Sequence, residues 1–506
     1  MIKFTLGNCY TKVECDRTVE SIIIDASTIK NSYFIKVIEC PKCQKQIPSG
    51  FWVKKYLTIR CKNYDCGETY KPLEHIKTVQ RMKEFSTMID NNIPTGLLPQ
   101  LIKRLKQSNI SYNIIDARQI YHPFPIENKV PELRYYQKDA IRDALIKKRG
   151  VMHLPVGSGK TIISAKLIFE TAIPAVIIVP TLQLLDQTYD KIKEWSTITS
   201  IGKIGDNNFE PADITIATAQ TLNSRFSTIE VQEFLKSIRT LCVDESHHLA
   251  ISNDYEANTW YKIAMATPNA YFRFALTATP GAEGTLERQL LEFATGTTIY
   301  KVGIEELVKA GYLSQPYVNV YKIPNDYNGE KDWSTIEKRY ITENDYRNRV
   351  IAEVTKKSSK NQTVLVSVNK INHGKKLESM IEESIFIQGS TDSKERNEVI
   401  EKFKKGEIKV VVSTLLKEGT DIPELNVIVN AGGGSGMRDD KGFEKSGRLV
   451  IQRAGRALRR TDSKNQGIII DFIDSNVPLL RKHSRERIKA YEAEGFIINQ
   501  MGVILI

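Results

Sequence analysis

Residues 154–161 read LPVGSGKT. They follow an apolar run, Val151–Leu154, and lead into a helical pattern from Ile162 to Phe169. Strand, glycine loop, Lys-Thr and helix is the order that a phosphate-binding loop requires. Gly157 and Gly159 allow a tight turn with backbone N–H groups facing inward, and the helix N-terminus adds its positive dipole end. Gly157, Ser158, Gly159, Lys160 and Thr161 are therefore candidate ATP and Mg²⁺ residues. Lys160 is placed to reach the β- and γ-phosphates, and the Thr161 hydroxyl to bind the metal. The strict spacing calls for glycine where this chain has Leu154, so an accidental GSGKT turn is the competing reading.

A second apolar run, Thr240–Val243, ends in Asp244-Glu245-Ser246-His247-His248. Carboxylates at the C-terminal end of a strand sit beside the phosphate loop in parallel α/β sheets. Asp244 is expected to hold Mg²⁺ through water, and Glu245 to orient or deprotonate the attacking water. A solvated acidic turn is the plain alternative. His247 and His248 as metal ligands is another, but nothing nearby completes a fixed ligand geometry.

A third constellation is Cys40-x2-Cys43, a 17-residue gap, then Cys61-x4-Cys66. Two such pairs can chelate one tetrahedral Zn²⁺ through thiolates, and a four-cysteine site is closed, hence structural. The gap alternates in β fashion over Gly50–Ile59, as a ribbon hairpin would. Lys42, Lys45, Lys54, Lys55, Arg60 and Lys62 interleave with Phe51, Trp52 and Tyr56, a mixture that suits a nucleic-acid surface or a solvated ribbon face. Four unrelated thiols is the alternative. Cys9, Cys15 and Cys242 read as inert.

These groups need a scaffold. Short apolar runs recur at Val151–Leu154, Ala175–Val179, Ile214–Ala217, Thr240–Val243 and Phe272–Leu276. A second series follows at Thr363–Val368, Ile385–Ile387, Lys409–Val412, Val427–Val429 and Gly467–Asp471. Apolar strands alternating with helical segments imply parallel sheets covered on both faces. The fold class expected is α/β, two tandem parallel-sheet domains behind a small α+β N-terminal domain. The boundaries expected are 1–125 for the accessory domain, with a ribbon at about 36–72, then 126–305, 306–480, and a helical extension at 481–506. Residues 1–30 read as strand. The pattern from Thr78 to Gln107 reads as helix, broken at Pro94 and Pro99. Tyr121–Glu132, with three prolines, reads as a linker, and Gly432–Gly447 as a mobile loop.

At 506 residues, with 41% hydrophobic and 26% charged side chains, the chain is long enough for several cores, which excludes disorder as its main description. No apolar run approaches a membrane span. The N-terminus lacks a signal-peptide pattern, and seven cysteines give no even disulfide framework, so a cytoplasmic location is expected. The formal charge is +12, and residues 1–130 hold 20 basic against 12 acidic side chains. The excess points to a polyanionic partner, richest near the N-terminus.

Taken together, the motifs from Arg134 to Asp474 resemble the superfamily 2 helicases and translocases of DExH type. Pro155 and Gly157–Thr161 fit that family's phosphate loop, with Val156 in place of its usual Thr, and Asp244–His247 fits its DExH box. The resemblance implies two RecA-like domains and a set of roles. RYYQ, Arg134–Gln137, makes Gln137 the adenine contact. LTATP, Leu276–Pro280, places Thr277 and Thr279 between ATP and nucleic acid. Pro180, Thr181, Thr218, Gln220, Ser367, Ser413 and Thr414 fall in strand-contacting motifs. Gly419 and Asp421 face ATP. QRAGRALR, Gln452–Arg459, places Gln452 at ATP and makes Arg456 and Arg459 the fingers on the γ-phosphate. His247 joins the catalytic set.

Within that superfamily, the YYQKDA entry (Tyr135–Ala140), the helical stretch near Leu97–Tyr112 and the overall layout resemble the phage UvsW-like recombination and branch-migration helicases, to which the cysteine ribbon is an addition. The DESHH box and Arg481–Phe496 also resemble DNA translocase subunits. The resemblance implies a nucleic-acid-dependent ATPase that remodels branched or forked DNA, acting as a monomer or weak oligomer away from membranes. An RNA helicase, and a nucleotide-gated switch or adaptor without unwinding, are the alternatives.

Overall fold

The computed structural model describes residues 2–503, other than 16, 40, 45, 49–58, 61–65, 67, 68, 71–75, 87, 89, 120, 251–258, 282, 415–424 and 435–465. The chain divides into two compact units. One comprises Met1–Arg118 with Gly281–Ala294, the other Gln119–Pro280 with Thr295–Ile506.

In the first unit, β1 (Ile2–Leu6) and β2 (Tyr10–Glu14) form a hairpin with one buried face, Ile2 and Phe4 on β1 and Thr11 and Val13 on β2. The helix Arg17–Ser27 follows, so the strand reading of residues 1–30 holds only for its first half. Next come β3 (Thr28–Glu39), β4 (Gln46–Pro48), β5 (Ile59–Arg60), β6 (Thr69–Tyr70), β7 (Ile76–Ser86), β8 (Asn92–Pro94), the helix Leu98–Gln107 and β9 (Tyr112–Asp116). A four-stranded sheet runs β8-β2-β1-β9, and β3 lies between β4 and β7 in another.

Here the helical reading of Thr78–Gln107 is corrected. Val79, Met82 and Phe85 recur at a spacing of three, which mimics a helix. An antiparallel ladder from Thr28↔Ser86 to Ile38↔Ile76 holds this segment as strand instead. Only Leu98–Gln107 is α-helical, burying Leu98, Leu101 and Leu105 with Pro99 in its first turn, where the missing N–H costs nothing. The segment 281–294 joins this unit closely. Gln100 Nε2 donates to Glu292 Oε2 at 2.5 Å, and a Cβ on Gly96 would fall 1.9 Å from the Glu292 carbonyl oxygen.

The second unit carries two large sheets. The first contains β10 (Arg149–His153), β11 (Ala175–Val179), β12 (Ile201–Gly205), β13 (Asn208–Glu210), β14 (Ile214–Thr218), β15 (Thr240–Val243), β16 (Phe272–Thr277) and β17 (Thr298–Lys301), in the order β13-β12-β14-β11-β15-β16-β10-β17. All pairs are parallel except β12 with β13. The second contains β18 (Gln315–Ile323), β19 (Val364–Ser367), β20 (Ser384–Ile387), β21 (Val410–Ser413), β22 (Val427–Asn430), β23 (Gln466–Asp474) and β24 (Ile497–Gly502), in the order β20-β21-β19-β22-β23-β18-β24, parallel throughout. The interior strands β11, β14, β15, β19, β21 and β22 are buried at every position, as parallel strands covered by helices must be. After Arg481 the chain continues the helix Pro478–Ala493 and then adds β24, the edge strand beside β18. Among the described residues no helix is long and apolar enough to cross a membrane.

Candidate functional site

The phosphate loop leaves the C-terminal end of β10 and the acidic box that of β15, with β16 between them. Gly157 and Gly159 both adopt left-handed backbone conformations, with φ of 84° and 81°. Gly159 caps the helix Lys160–Thr171 without a side chain, its carbonyl accepting from the Ile162 and Ile163 N–H groups at 3.1 and 3.2 Å, and so sets the helix N-terminus directly behind the loop. A Cβ at Gly159 would lie 2.6 Å from Gln137 Nε2, so glycine is needed there for packing as well as for φ.

Gln137 is buried beneath this loop. Its Nε2 donates to the Ser158 carbonyl at 2.9 Å, and its Oε1 accepts from the Arg134 N–H at 2.9 Å. Tyr136 Oη donates to the same Ser158 carbonyl at 2.7 Å. The residue expected to read adenine thus also props the phosphate loop from below. Ser158 Oγ is buried without a hydrogen-bond partner among the described residues. Tyr135, Tyr136 and Tyr312 cluster beside this corner, with the Arg134 guanidinium 4.9 Å from the Tyr312 ring centre.

Lys160 Nζ is 2.6 Å from Glu245 Oε1. Glu245 has φ of 45°, a strained value for a side-chain-bearing residue, and its N–H is tied to Asp244 Oδ1 at 2.9 Å. The two carboxyls are driven apart electrostatically. Burial pushes Asp244 up to about 6. Burial also acts against the Glu245 charge, but the Lys160 ammonium and His247 outweigh it and hold Glu245 below the usual carboxylate range. A divalent cation would favour the ionised form of Asp244. Carboxylate and hydroxyl donors at Asp244 and Thr161 are the hard oxygen ligands Mg²⁺ takes, so the residues present fit that ion.

His247 is buried, with Nδ1 3.4 Å from Glu245 Oε2 and 3.3 Å from Thr277 Oγ1. Thr277 Oγ1 in turn accepts from the Thr279 N–H at 3.0 Å. One chain of contacts therefore links the Glu245 carboxylate to the turn after β16. His248 stacks on Trp260, ring centres 5.0 Å apart, which makes it a packing residue. Burial pushes the Cys242 thiol up to about 12, in keeping with an inert cysteine.

Two of the strand-contact residues serve as helix caps. Thr181 Oγ1 accepts from the Leu184 N–H at 3.3 Å, and Thr218 Oγ1 from the Thr221 N–H at 3.4 Å. Pro180 is half-buried and Gln220 exposed. Ser367 and Ser413 pair in register at the ends of β19 and β21 and are buried, while Thr414 is half-buried. Gly419, Asp421, Gln452, Arg456 and Arg459 lie outside the described residues, as do Cys40 and Cys61. Cys43 and Cys66 lie in the β3–β4 and β5–β6 connections, where Lys42 Nζ donates to the Cys66 carbonyl at 3.4 Å. Among the described residues no metal-binding cluster occurs.

The family described as type III restriction enzyme, res subunit, matches residues 131–282, and the helicase conserved C-terminal domain matches residues 346–461. The chain belongs to the superfamily 2 helicases. Two curated relatives align over most of its length. The DNA 3'-5' translocase XPB2 of Sulfurisphaera tokodaii is 26% identical over 429 residues, covering 76% of this chain and 90% of the relative. The ATP-dependent DNA helicase uvsW of Enterobacteria phage T4 is 25% identical over 411 residues, covering 73% and 77%. Among solved structures, S. cerevisiae Dbp5 bound to RNA and ADP BeF3 shares the fold with a TM-score of 0.53 at 17% identity, over 73% of this chain and 90% of that one. As a superfamily 2 helicase the protein is an ATP-hydrolysing enzyme, and its two parallel sheets are the RecA-like pair expected from the motifs.

Sequence reasoning missed two buried arginines of the second sheet, Arg347 and Arg487, each paired with an aspartate of β23. A signal existed. Arg347 sits in an apolar stripe with Val350, Ile351 and Val354, and Arg487 in one with Leu480 and Tyr491.

Proposed function

We propose that the protein is an ATP-driven DNA helicase or translocase that remodels branched or forked DNA, in recombination or repair. The observation that carries this reading is the contact chain Lys160–Glu245–His247–Thr277, which ties the phosphate site to the turn after β16 that the family resemblance assigns to coupling. Bound ATP displaces Glu245 from Lys160, and the freed carboxylate orients the attacking water. Thr161, and Asp244 through water, would hold Mg²⁺, which would supply neutralisation of the phosphate charge. Arg456 and Arg459 complete the site from the second RecA-like domain, a contribution worth about 10³–10⁵ in rate for arginine fingers elsewhere. Hydrolysis is then gated by closure of the two domains, and a bound strand biases that closure.

The strand is held mainly at phosphates, by helix N-termini such as that capped by Thr181 and by Gln220 and Thr414, contacts that position without reading sequence. DNA is favoured by the two relatives named for DNA and by the basic N-terminal region. An RNA helicase is the second reading, supported by the fold shared with the RNA-bound Dbp5. A four-cysteine Zn²⁺ site at Cys40, Cys43, Cys61 and Cys66 is supported by the bond from Lys42 to the Cys66 carbonyl, which joins the two cysteine-bearing connections. Chelation should release one zinc per chain, and absence of zinc in metal analysis of the purified protein would remove that assignment. The protein is placed in the cytoplasm (of the host, if phage-encoded) as a monomer or weak oligomer.

The test compares ATPase stimulation and strand displacement on single-stranded DNA, duplex DNA, a fork, a four-way junction and duplex RNA. Preference for the fork or junction is expected. Preference for RNA overturns the DNA assignment, and ATPase without displacement on any substrate leaves a translocase or a switch.

A further inference from the structure

Every described strand from β10 to β17 lies in the first large sheet, and every one from β18 to β24 in the second. The chain therefore crosses between the sheets at residues 302–314. This crossover is a packed element. Val302, Ile304, Leu307 and Leu313 are buried in the core that contains Tyr136, and the same core continues into Val318 and Val320 of β18. The crossover helix, Ile304–Lys309, ends in a reversal. The Gly311 N–H donates to the Val308 carbonyl at 2.9 Å, and the Tyr312 N–H to that of Leu307 at 2.8 Å. Gly311 has φ of 75°, the left-handed value this pair of bonds requires.

The reversal sets Tyr312 against the segment Arg134–Gln137. Its ring centre lies 6.0 Å from that of Tyr135 and 5.6 Å from that of Tyr136, with the Arg134 guanidinium 4.9 Å away. Tyr135 Oη also donates to Glu306 Oε1 of the crossover at 2.8 Å. From Arg134 the contact passes inward. Arg134 Nη1 donates to Tyr136 Oη at 3.1 Å, and Tyr136 Oη donates to the Ser158 carbonyl at 2.7 Å. Tyr136 is fully buried, so water offers its hydroxyl no other partner.

The Ser158 carbonyl is a sensitive place for such a path to end. It accepts from both Tyr136 Oη and Gln137 Nε2. In a planar trans peptide the C=O and the following N–H point in opposite directions, so fixing this carbonyl aims the Gly159 N–H of the phosphate loop. Plain packing of an aromatic corner is the competing account. A corner that only needed filling would be served by phenylalanine and leucine. The hydroxyl of Tyr136 and the guanidinium that orients it make the path directional.

We propose that Tyr312, Arg134 and Tyr136 are positioning residues that carry movement of the crossover to the Ser158 carbonyl, so that closure of the two RecA-like domains on DNA sets the phosphate loop for hydrolysis. The proposal rests on the reading of the protein as a DNA-stimulated motor. The relay reads no base and touches no strand. Its effect is on the ratio of the DNA-stimulated rate to the basal rate. Coupling between sites commonly amounts to about 5–150-fold, and one cation–aromatic contact or one buried hydrogen bond supplies the lower end of that range.

The experiment uses the full chain, with steady-state hydrolysis of ATP and of GTP with and without forked DNA, DNA affinity and thermal melting. Tyr312→Leu should lower the DNA stimulation about 5–10-fold, with basal turnover and DNA affinity within about twofold of wild type. Tyr312→Phe keeps the ring and should retain wild-type stimulation. Tyr136→Phe is nearly isosteric and removes the hydroxyl between Arg134 and Ser158. It should lower the stimulation about fivefold, and it tests the relay even if Tyr312→Leu folds poorly. Because the contacts act in series, the double variant should lose no more than the weaker of the two singles.

Wild-type stimulation in either folded variant, Tyr312→Leu or Tyr136→Phe, overturns the relay. So do losses that multiply in the double variant, or an equal loss in Tyr312→Phe. A changed preference between ATP and GTP in Tyr312→Leu makes that residue a base contact and overturns the relay as well. In all of these cases wild type still responds to DNA, and the motor reading stands. A wild-type rate that no DNA or RNA substrate raises fails the motor reading and takes the relay with it.

Discussion

The two RecA-like sheets both use buried ion pairs, and they use them in opposite ways. In the first, Lys160–Glu245 is 11% and 16% exposed and joins the phosphate loop to the acidic box. In the mechanism proposed above it is a pair made to be exchanged, because ATP gives each partner another task. In the second, Arg347–Asp474 and Arg487–Asp471 are closed to solvent and tied into backbone carbonyls. They are pairs made to last. Burial is the difference: a charge near the surface changes partners at modest cost, whereas a sealed charge without a partner costs several kcal/mol.

The sharpest way to separate the two is to break one of each. Lys160→Ala should reduce ATP turnover on DNA by about 10²–10³-fold or more while thermal stability changes little, read by coupled ATPase assay and calorimetry. Arg487→Met should do the reverse to stability, with a loss of about 3–5 kcal/mol in denaturant unfolding because Asp471 is left buried and unpaired. Adding Asp471→Leu to that variant should recover part of the loss, and no recovery would mean the ion pair is not what is being lost.

A smaller effect tests how closed the second domain is. His373 is held far below its ordinary value, at about 3, chiefly by burial and then by the charges of Arg347 and Lys376. Its Nε2 is 3.0 Å from Asn348 Oδ1, which favours the neutral ring as donor. The unfolded chain takes up a proton on this residue below about 6.5, and the folded chain does not until about 3. The stability concerned is complete above 6.5 and is lost as pH falls through that window. His373→Gln should flatten the acid slope of stability by up to about 1.4 kcal/mol per pH unit. The smallest effect is expected at Thr181→Ala, where loss of the helix cap costs about 1 kcal/mol. Filter binding should show weaker DNA binding with ATP affinity unchanged.

These two kinds of pair also differ in how visible they are in sequence. The interior strands are legible because a parallel strand covered on both faces must be a continuous apolar run, as at Ala175–Val179 and Thr240–Val243. The phosphate site is legible because a ligand fixes residue types at fixed spacing around it. β7 is not, since Val79, Met82 and Phe85 keep a helical spacing and only the long ladder with β3 decides. Edge strands such as β13, β17 and β24 are short or half-exposed and leave no periodic trace. Arg347 and Arg487 each lie in the apolar stripe of a charge-rich helix, which marks them as inward-facing, but their partners Asp474 and Asp471 are 127 and 16 positions away, so nothing local names the pairing. The motif around Gln137 leads to the expectation of an adenine contact, but its support of the Ser158 carbonyl depends on a loop geometry that spacing does not encode.

The most direct test of the motor is turnover by Glu245→Gln beside wild type, with and without forked DNA, alongside DNA binding. Loss of the DNA-stimulated rate by about 10²–10⁴-fold with binding retained is the result predicted for a catalytic carboxylate. A clean Glu245→Gln preparation that hydrolyses ATP at the wild-type, DNA-stimulated rate would contradict it.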